Sequence, residues 1–283
     1  MSVHTVGIEC EIDGVPIHNM VQYMVDHNMW LLDADDERSP HYNHCDCEAC
    51  EWGSSPFRAH YDCTCDGEIV SDVMSWPSDR TVGRLTQLQS MLSMFGVQPG
   101  SRAGFHVHVG HLLNDPSDDF EDDEYDSLCS ASLSDNRLAQ RVVDYFTWYE
   151  AQFAVFAKQT MPCVRSYNQW LSAACRIADA DGASATASRV HFRKHEYRPE
   201  KGMTLALRPR TWEFRIWNST VDAWRMYMAI DMSCAFLDAV ANAPAIADKP
   251  PFDRPPLITF IAPYLTDAGL AYAMRHLVSD NNS

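Results

Sequence analysis

AGFHVHVG, residues 103–110, alternates with a period of two, so His106 and His108 fall on one face of a strand and Val107 on the other. TVGIECEI, residues 5–12, repeats the pattern: Val6, Ile8, Cys10 and Ile12 share one face, and Glu9 and Glu11 share the opposite one. Residues 211–217 place Glu213 and Arg215 two apart around Phe214. Each stretch predicts a strand with an apolar side toward the core and a polar side carrying carboxylates, imidazoles or a guanidinium.

Outward from these strands, helical spacing is expected over 16–28, 79–95, 136–159, 221–243 and 266–278. Asp79 is the expected N-cap of the second of these helices and Gly96 its stop. Two short strands are expected in 57–74 around a turn at Gly67, and another at 203–207, whereas the polar stretch 33–56 reads as irregular. Strands mixed with helices that do not alternate regularly with them predict an α+β fold: an antiparallel sheet with helices packed on one side. Residues 1–283 are read as a single domain, with a cysteine-rich insertion at about 40–56 and an acidic loop at about 114–127.

Composition narrows the function classes. A net charge of −17 argues against non-specific nucleic-acid binding, which needs a basic face. Much of the excess lies in NDPSDDFEDDEYD, residues 114–126, which reads either as a solvated loop or as a docking surface for a basic partner. The apolar run Met226–Ala243 is interrupted by Asp231 and Asp238, so it reads as an amphipathic or buried helix, and no membrane segment is expected. Ten cysteines and an N-terminus unlike a secretory signal suggest thiols in a reducing, cytoplasmic compartment.

Taken singly, each polar pair has an ordinary explanation. Alternating glutamates usually mark a solvated sheet face, and Glu213 beside Arg215 would make a surface ion pair worth about 0–1 kcal/mol. Three such pairs on three strands instead suit a hard divalent cation and phosphate chemistry, because carboxylate oxygens hold Mg²⁺ together with substrate phosphates. The chain has no Gly-x-x-x-x-Gly-Lys-Ser/Thr loop, no Gly-x-Ser-x-Gly elbow and no dinucleotide-binding glycine fingerprint.

Four blocks then occur in order: GIECE (7–11), YDCTCDGEIVS (61–71), GFHVHVG (104–110) and WEFRIWNSTVDAWRMYMAID (212–231). Together they resemble the amidoligase family, relatives of glutamine synthetase and glutamate–cysteine ligase. The resemblance implies a glutamine-synthetase-like catalytic domain on a curved sheet. It implies an ATP- and Mg²⁺- or Mn²⁺-dependent ligase joining a carboxylate to an amine through an acyl phosphate. The substrates would be peptides, amino acids or small metabolites. On this resemblance Glu9, Glu11, Glu68, Glu213 and His106 would ligate the metal, and His108 would approach the nucleotide phosphates. Arg215 would stabilise the phosphoryl group in transfer. Arg165, with Tyr167 nearby, would hold the acceptor or the transferred group, or else simply anchor its loop. Asp62-Cys63-Thr64 stands where the family has Asp-Gly-Ser, and Trp212 and Trp217 add bulk around Glu-Phe-Arg; these departures bear on substrate preference.

The segment HCDCEAC, residues 44–50, lies outside that resemblance. Cys47 and Cys50 have the spacing of a structural zinc knuckle, with Cys63 and Cys65 as a second pair and Cys45 or His44 as spare ligands. Free thiols are the alternative. Two further functional readings stand beside the ligase: a zinc-dependent hydrolase built on His106 and His108, and a non-catalytic, zinc-stabilised binding protein.

Overall fold

Period-two alternation in His4–Ile12 builds the central strand of the protein, β1, in a computed structural model that describes residues 3–26, 33–34, 56–60, 65–100, 103–110, 136–160, 204–207, 211–244 and 254–278. The other strands are β2 (Asp33–Ala34), β3 (Phe57–His60), β4 (Gly67–Ser71), β5 (Met74–Trp76), β6 (Gly104–Gly110), β7 (Leu205–Leu207) and β8 (Thr211–Asn218). They form one open sheet in the order β2-β3-β4-β1-β6-β8-β7, with β5 pairing to the first part of β1. The helices are α1 (Ile17–Asp26), α2 (Asp79–Met94), α3 (Asn136–Thr160), α4 (Ala223–Ala241), α5 (Leu257–Ile261) and α6 (Asp267–Val278).

The class is α+β. Val6, Ile8, Cys10 and Ile12 of β1, with Val107 of β6 and Phe214 of β8, are all buried on one sheet face. Helices α3 and α4 cover that face: Phe153 of α3 packs edge-on against Trp217 at 5.8 Å, and Phe236 of α4 against Phe214 at 6.1 Å. The buried side chains of α1 and α2 join the same core. Among the described residues no helix is long and apolar enough to cross a membrane.

The structure departs from the sequence reading in four places. Asp33–Ala34, within the stretch expected to be irregular, pairs with β3, and pairs in parallel; a two-residue strand is too short to show a period. Residues 57–76 hold three strands, because one edge of β1 is shared between β4, opposite Glu9–Ile12, and β5, opposite His4–Val6. Where these partners change over, the Ile8 backbone N–H donates to the Ser71 hydroxyl at 3.0 Å, which satisfies a buried donor.

Ser78, not Asp79, caps α2: its extended backbone turns the hydroxyl onto the Arg80 N–H at 3.2 Å. Gly96 does end the helix, with φ +68°, as Val97 N–H reaches back to Leu92 C=O at 3.0 Å. The fourth departure is a bulge in β8. Phe105 faces Trp217 and Val107 faces Phe214, so three residues of β8 span two of β6. The extra residue returns Trp217 to the apolar face that Phe214 already occupies.

The turn into β4 depends on Gly67. Its φ is +152°, and a Cβ built there would lie 2.3 Å from the Ile17 Cβ. Gly67→Ala is therefore expected to destabilise the protein by about 2–3 kcal/mol in urea titrations, through backbone strain and overpacking against α1. An unchanged midpoint would show that α1 can move aside.

Candidate functional site

The polar face of the sheet is organised by register. On adjacent strands Glu9 stands directly opposite His106, Glu11 opposite Glu68, and His108 opposite Glu213. Four strands remote in sequence thus deliver four carboxylates and two imidazoles to one patch (His106 and Glu9 are separated by 97). The apolar residues between them, Cys10, Val107 and Phe214, anchor each strand in the core beneath.

His106 is the hub. Its ring is 1% exposed, with Nδ1 2.9 Å from Glu9 Oε2 and 3.5 Å from Glu213 Oε1, and Nε2 3.4 Å from Glu11 Oε1. His108 Nε2 lies 2.9 Å from the other Glu9 oxygen but out of line for a hydrogen bond. Its Nδ1 is 3.2 Å from the Thr211 hydroxyl. Glu213 is fully buried and bonded to an Arg215 guanidinium nitrogen, while the buried Nε of Arg215 has no hydrogen-bond partner among the described residues.

Electrostatics holds Glu9 and Glu213 ionised. Burial by itself would raise Glu9, but contacts from His106 and His108 and the charges of both imidazoles hold its carboxyl below the usual range. Burial likewise acts against Glu213, and Arg215, His108 and His106 together bring it down despite the nearby Glu9. A carboxylate whose folded pKa is depressed contributes stability above its unfolded value, about 4.3. That contribution fades as pH falls through and below this value. Metal-free protein is therefore expected to show a lower urea midpoint at pH 3 than at pH 7, with a smaller drop in Glu9→Gln. Equal drops in both proteins would mean that Glu9 is not held this way.

The donor set suits a divalent cation. One ligand atom each from Glu9, His106 and Glu213 lies within 4.8 Å of the others, and the same holds for Glu11, Glu68 and His106. Oxygen donors dominate both groups, as Mg²⁺ or Mn²⁺ prefers. Carboxylates outnumber the cationic partner shown in contact with them, Arg215 on Glu213, so an added divalent cation would be favoured by the charge of the face.

The sequence-predicted residues are brought together except where they fall outside the described residues, as do Arg165, Tyr167, His44, Cys45, Cys47, Cys50, Cys63 and the acidic loop. Cys65 is described: it is buried, and its thiol donates to the Gly67 carbonyl at 3.1 Å. Trp212 and Trp217, expected to influence substrate preference, are 5% and 0% exposed on the core face, and Trp217 Nε1 donates to Ser233 Oγ at 3.1 Å. They lie across the sheet from the carboxylates because Trp212 alternates with Glu213 and the bulge turns Trp217 inward.

Two residues at the site escaped the sequence reading. Thr211 lies two positions before Glu213, so the same alternation puts it on the polar face beside His108. His60 stands opposite Glu68 and extends the row formed by Glu68 and Glu11. The signal for His60 was its alternation with buried Phe57 and Ala59 in a strand of four residues. No protein-family model matches this chain, and neither a curated protein nor a solved structure matches it.

Proposed function

We propose that this protein is an ATP- and divalent-metal-dependent ligase that joins a carboxylate to an amine. The observation that carries the reading is the array of four carboxylates around His106 on one sheet face, with the Arg215 guanidinium bonded to one of them. The step from a cation site to a ligase rests on the ordered sequence blocks that contain these same residues.

Glu9, Glu213 and His106 on one side, and Glu11, Glu68 and His106 on the other, would hold the cation. Bound there, it would neutralise charge on the phosphates of ATP and on the incoming carboxylate. Arg215, whose buried Nε has no partner among the described residues, offers a donor to the phosphoryl group in transfer. Thr211 fixes one edge of the His108 ring and leaves the other edge toward the site. The reaction needs little covalent chemistry from the protein. A carboxylate oxygen attacks the γ-phosphorus and ADP leaves. The amine then attacks the acyl carbon, and phosphate leaves as the amine loses a proton. Holding like-charged reactants in line on a stiff surface is the main contribution expected of such a site.

A zinc hydrolase built on His106 and His108 draws less support, since His108 belongs to neither donor group. Calorimetric titration of ATP with and without Mg²⁺ tests the proposal. Metal-dependent binding supports it, and absence of binding under both conditions overturns it in favour of a non-catalytic binding protein.

A further inference from the structure

A second feature lies on the helical layer, across the sheet from the carboxylates. The first turn of α4 and one face of α6 enclose a groove of about 500 Å³ lined by Trp224, Arg225, Ala268, Ala271, Tyr272 and Arg275. Its volume falls within the range of small-molecule sites. The spacing on α6 is helical, with positions 268, 271, 272 and 275 on one stripe. The two alanines make a low floor, and the aromatic and cationic side chains stand around it.

Three observations suggest a ligand. Trp224 is 56% exposed, although it is the largest apolar side chain in the first turn of α4, and its ring lies tilted against Tyr227 with centroids 5.4 Å apart. Neither Arg225 nor Arg275 is in an ion pair among the described residues, in a chain whose net charge is −17. Arg225 is already held in place, because it bonds to Tyr272 while its backbone N–H is capped by Asp222 Oδ1 at 3.0 Å. Asp222, the one carboxylate of the lining, is thereby engaged with backbone.

We infer that this groove binds a nucleoside phosphate, with the base lying on the alanine floor against Trp224 and the phosphate between Arg225 and Arg275. An exposed indole offers a stacking face to any base, and a guanidinium fork matches phosphate geometry in two parallel hydrogen bonds. The small floor lets a flat ring approach α6 closely, a fit that an extended acidic peptide would not use. The inference is independent of the ligase reading, since the groove contains none of the carboxylates around His106.

AMP without divalent metal is the probe, followed by tryptophan fluorescence and by equilibrium dialysis. Saturable binding with quenching is expected. The quench should disappear in Trp224→Phe, and the dissociation constant should rise about tenfold in Arg275→Gln, the loss expected for one charge-assisted contact. Arg275 is exposed, so that variant is expected to keep the wild-type circular dichroism. Glu213→Gln should bind AMP as wild type does, which separates this groove from the carboxylate site. Ribose 5-phosphate, which lacks the base, should bind more weakly than AMP. The inference is overturned by any of three results: no saturable AMP binding, binding unchanged in both groove variants, or an acidic peptide that competes more strongly than AMP.

Discussion

Glu213→Gln is expected to lower Mg²⁺-dependent ATP turnover by about 10²–10³-fold, the range seen when one preorganised electrostatic contact is removed from an active site. The side chain is fully buried, so the near-isosteric amide keeps the packing. What it removes is charge. Arg215 and the two imidazoles hold Glu213 ionised at neutral pH, so the substitution subtracts a full negative charge from the donor group it forms with Glu9 and His106. It also leaves Arg215 bonded to a neutral oxygen, with its guanidinium less firmly placed for a phosphoryl group. Calorimetry should show Mg²⁺-dependent ATP binding weakened, while any metal-free binding stays as in wild type. If the variant turns over ATP at the wild-type rate, Glu213 is not part of a cation site and the proposed chemistry fails.

Asp231→Ala is expected to cost about 4 kcal/mol of stability, a large share of the 5–15 kcal/mol typical of a folded domain. Asp231 lies in the middle of α4, 1% exposed, and accepts from Trp76 Nε1 at 3.0 Å, Thr266 N–H at 3.1 Å and Thr266 Oγ1 at 2.9 Å. One carboxylate thus ties the end of β5 and the start of α6 to the central helix. Gly269 packs closely against this carboxylate, since a Cβ there would lie 1.8 Å from Asp231 Oδ2. Removal strands two donors, Trp76 Nε1 and Thr266 N–H, whereas the Thr266 hydroxyl keeps Tyr227 at 2.6 Å.

Asp231→Asn, which retains one acceptor, should cost less. Its pH dependence has a definite sign. Burial raises the folded pKa of Asp231 despite its hydrogen bonds, so the folded state binds the proton more tightly than the unfolded state. The advantage of wild type over Asp231→Asn should therefore be larger below the unfolded carboxylate value and shrink as pH rises through the folded one. Contributions from Glu9 and Glu213 cancel in that difference. Urea midpoints across pH 4–8 give the answer, and a gap that widened with rising pH would reverse the assignment.

Much of the site was legible because strand alternation is a local property. Glu9, Glu11, His106, His108, Glu213 and Arg215 left the core for the same reason that Cys10, Val107 and Phe214 entered it. Most helices were legible too, from apolar spacing that needs no knowledge of neighbours. The aspartates of α4 were not. In sequence Asp231 and Asp238 look like polar interruptions, yet the first accepts from Trp76 and Thr266 and the second lies 3.2 Å from His4 Nε2, a buried side chain on β1. Their partners are remote, so no window of sequence contains both ends of either contact. The face of Trp217 was hidden for a related reason. Trp217 follows Arg215 at a spacing that regular alternation assigns to the polar face, and one extra residue opposite β6 reverses it.

Outside the bulge of β8, the sequence by itself determined which side chains face away from the core, because backbone geometry sends alternate residues of a regular strand to opposite faces. Only the tertiary structure decided which of them meet. His106 sits between Glu9, Glu11 and Glu213 because β1 pairs with β6 and β6 with β8 in one particular register. That register follows from the packing of the whole apolar face against α3 and α4, a sum over distant contacts that no local pattern encodes.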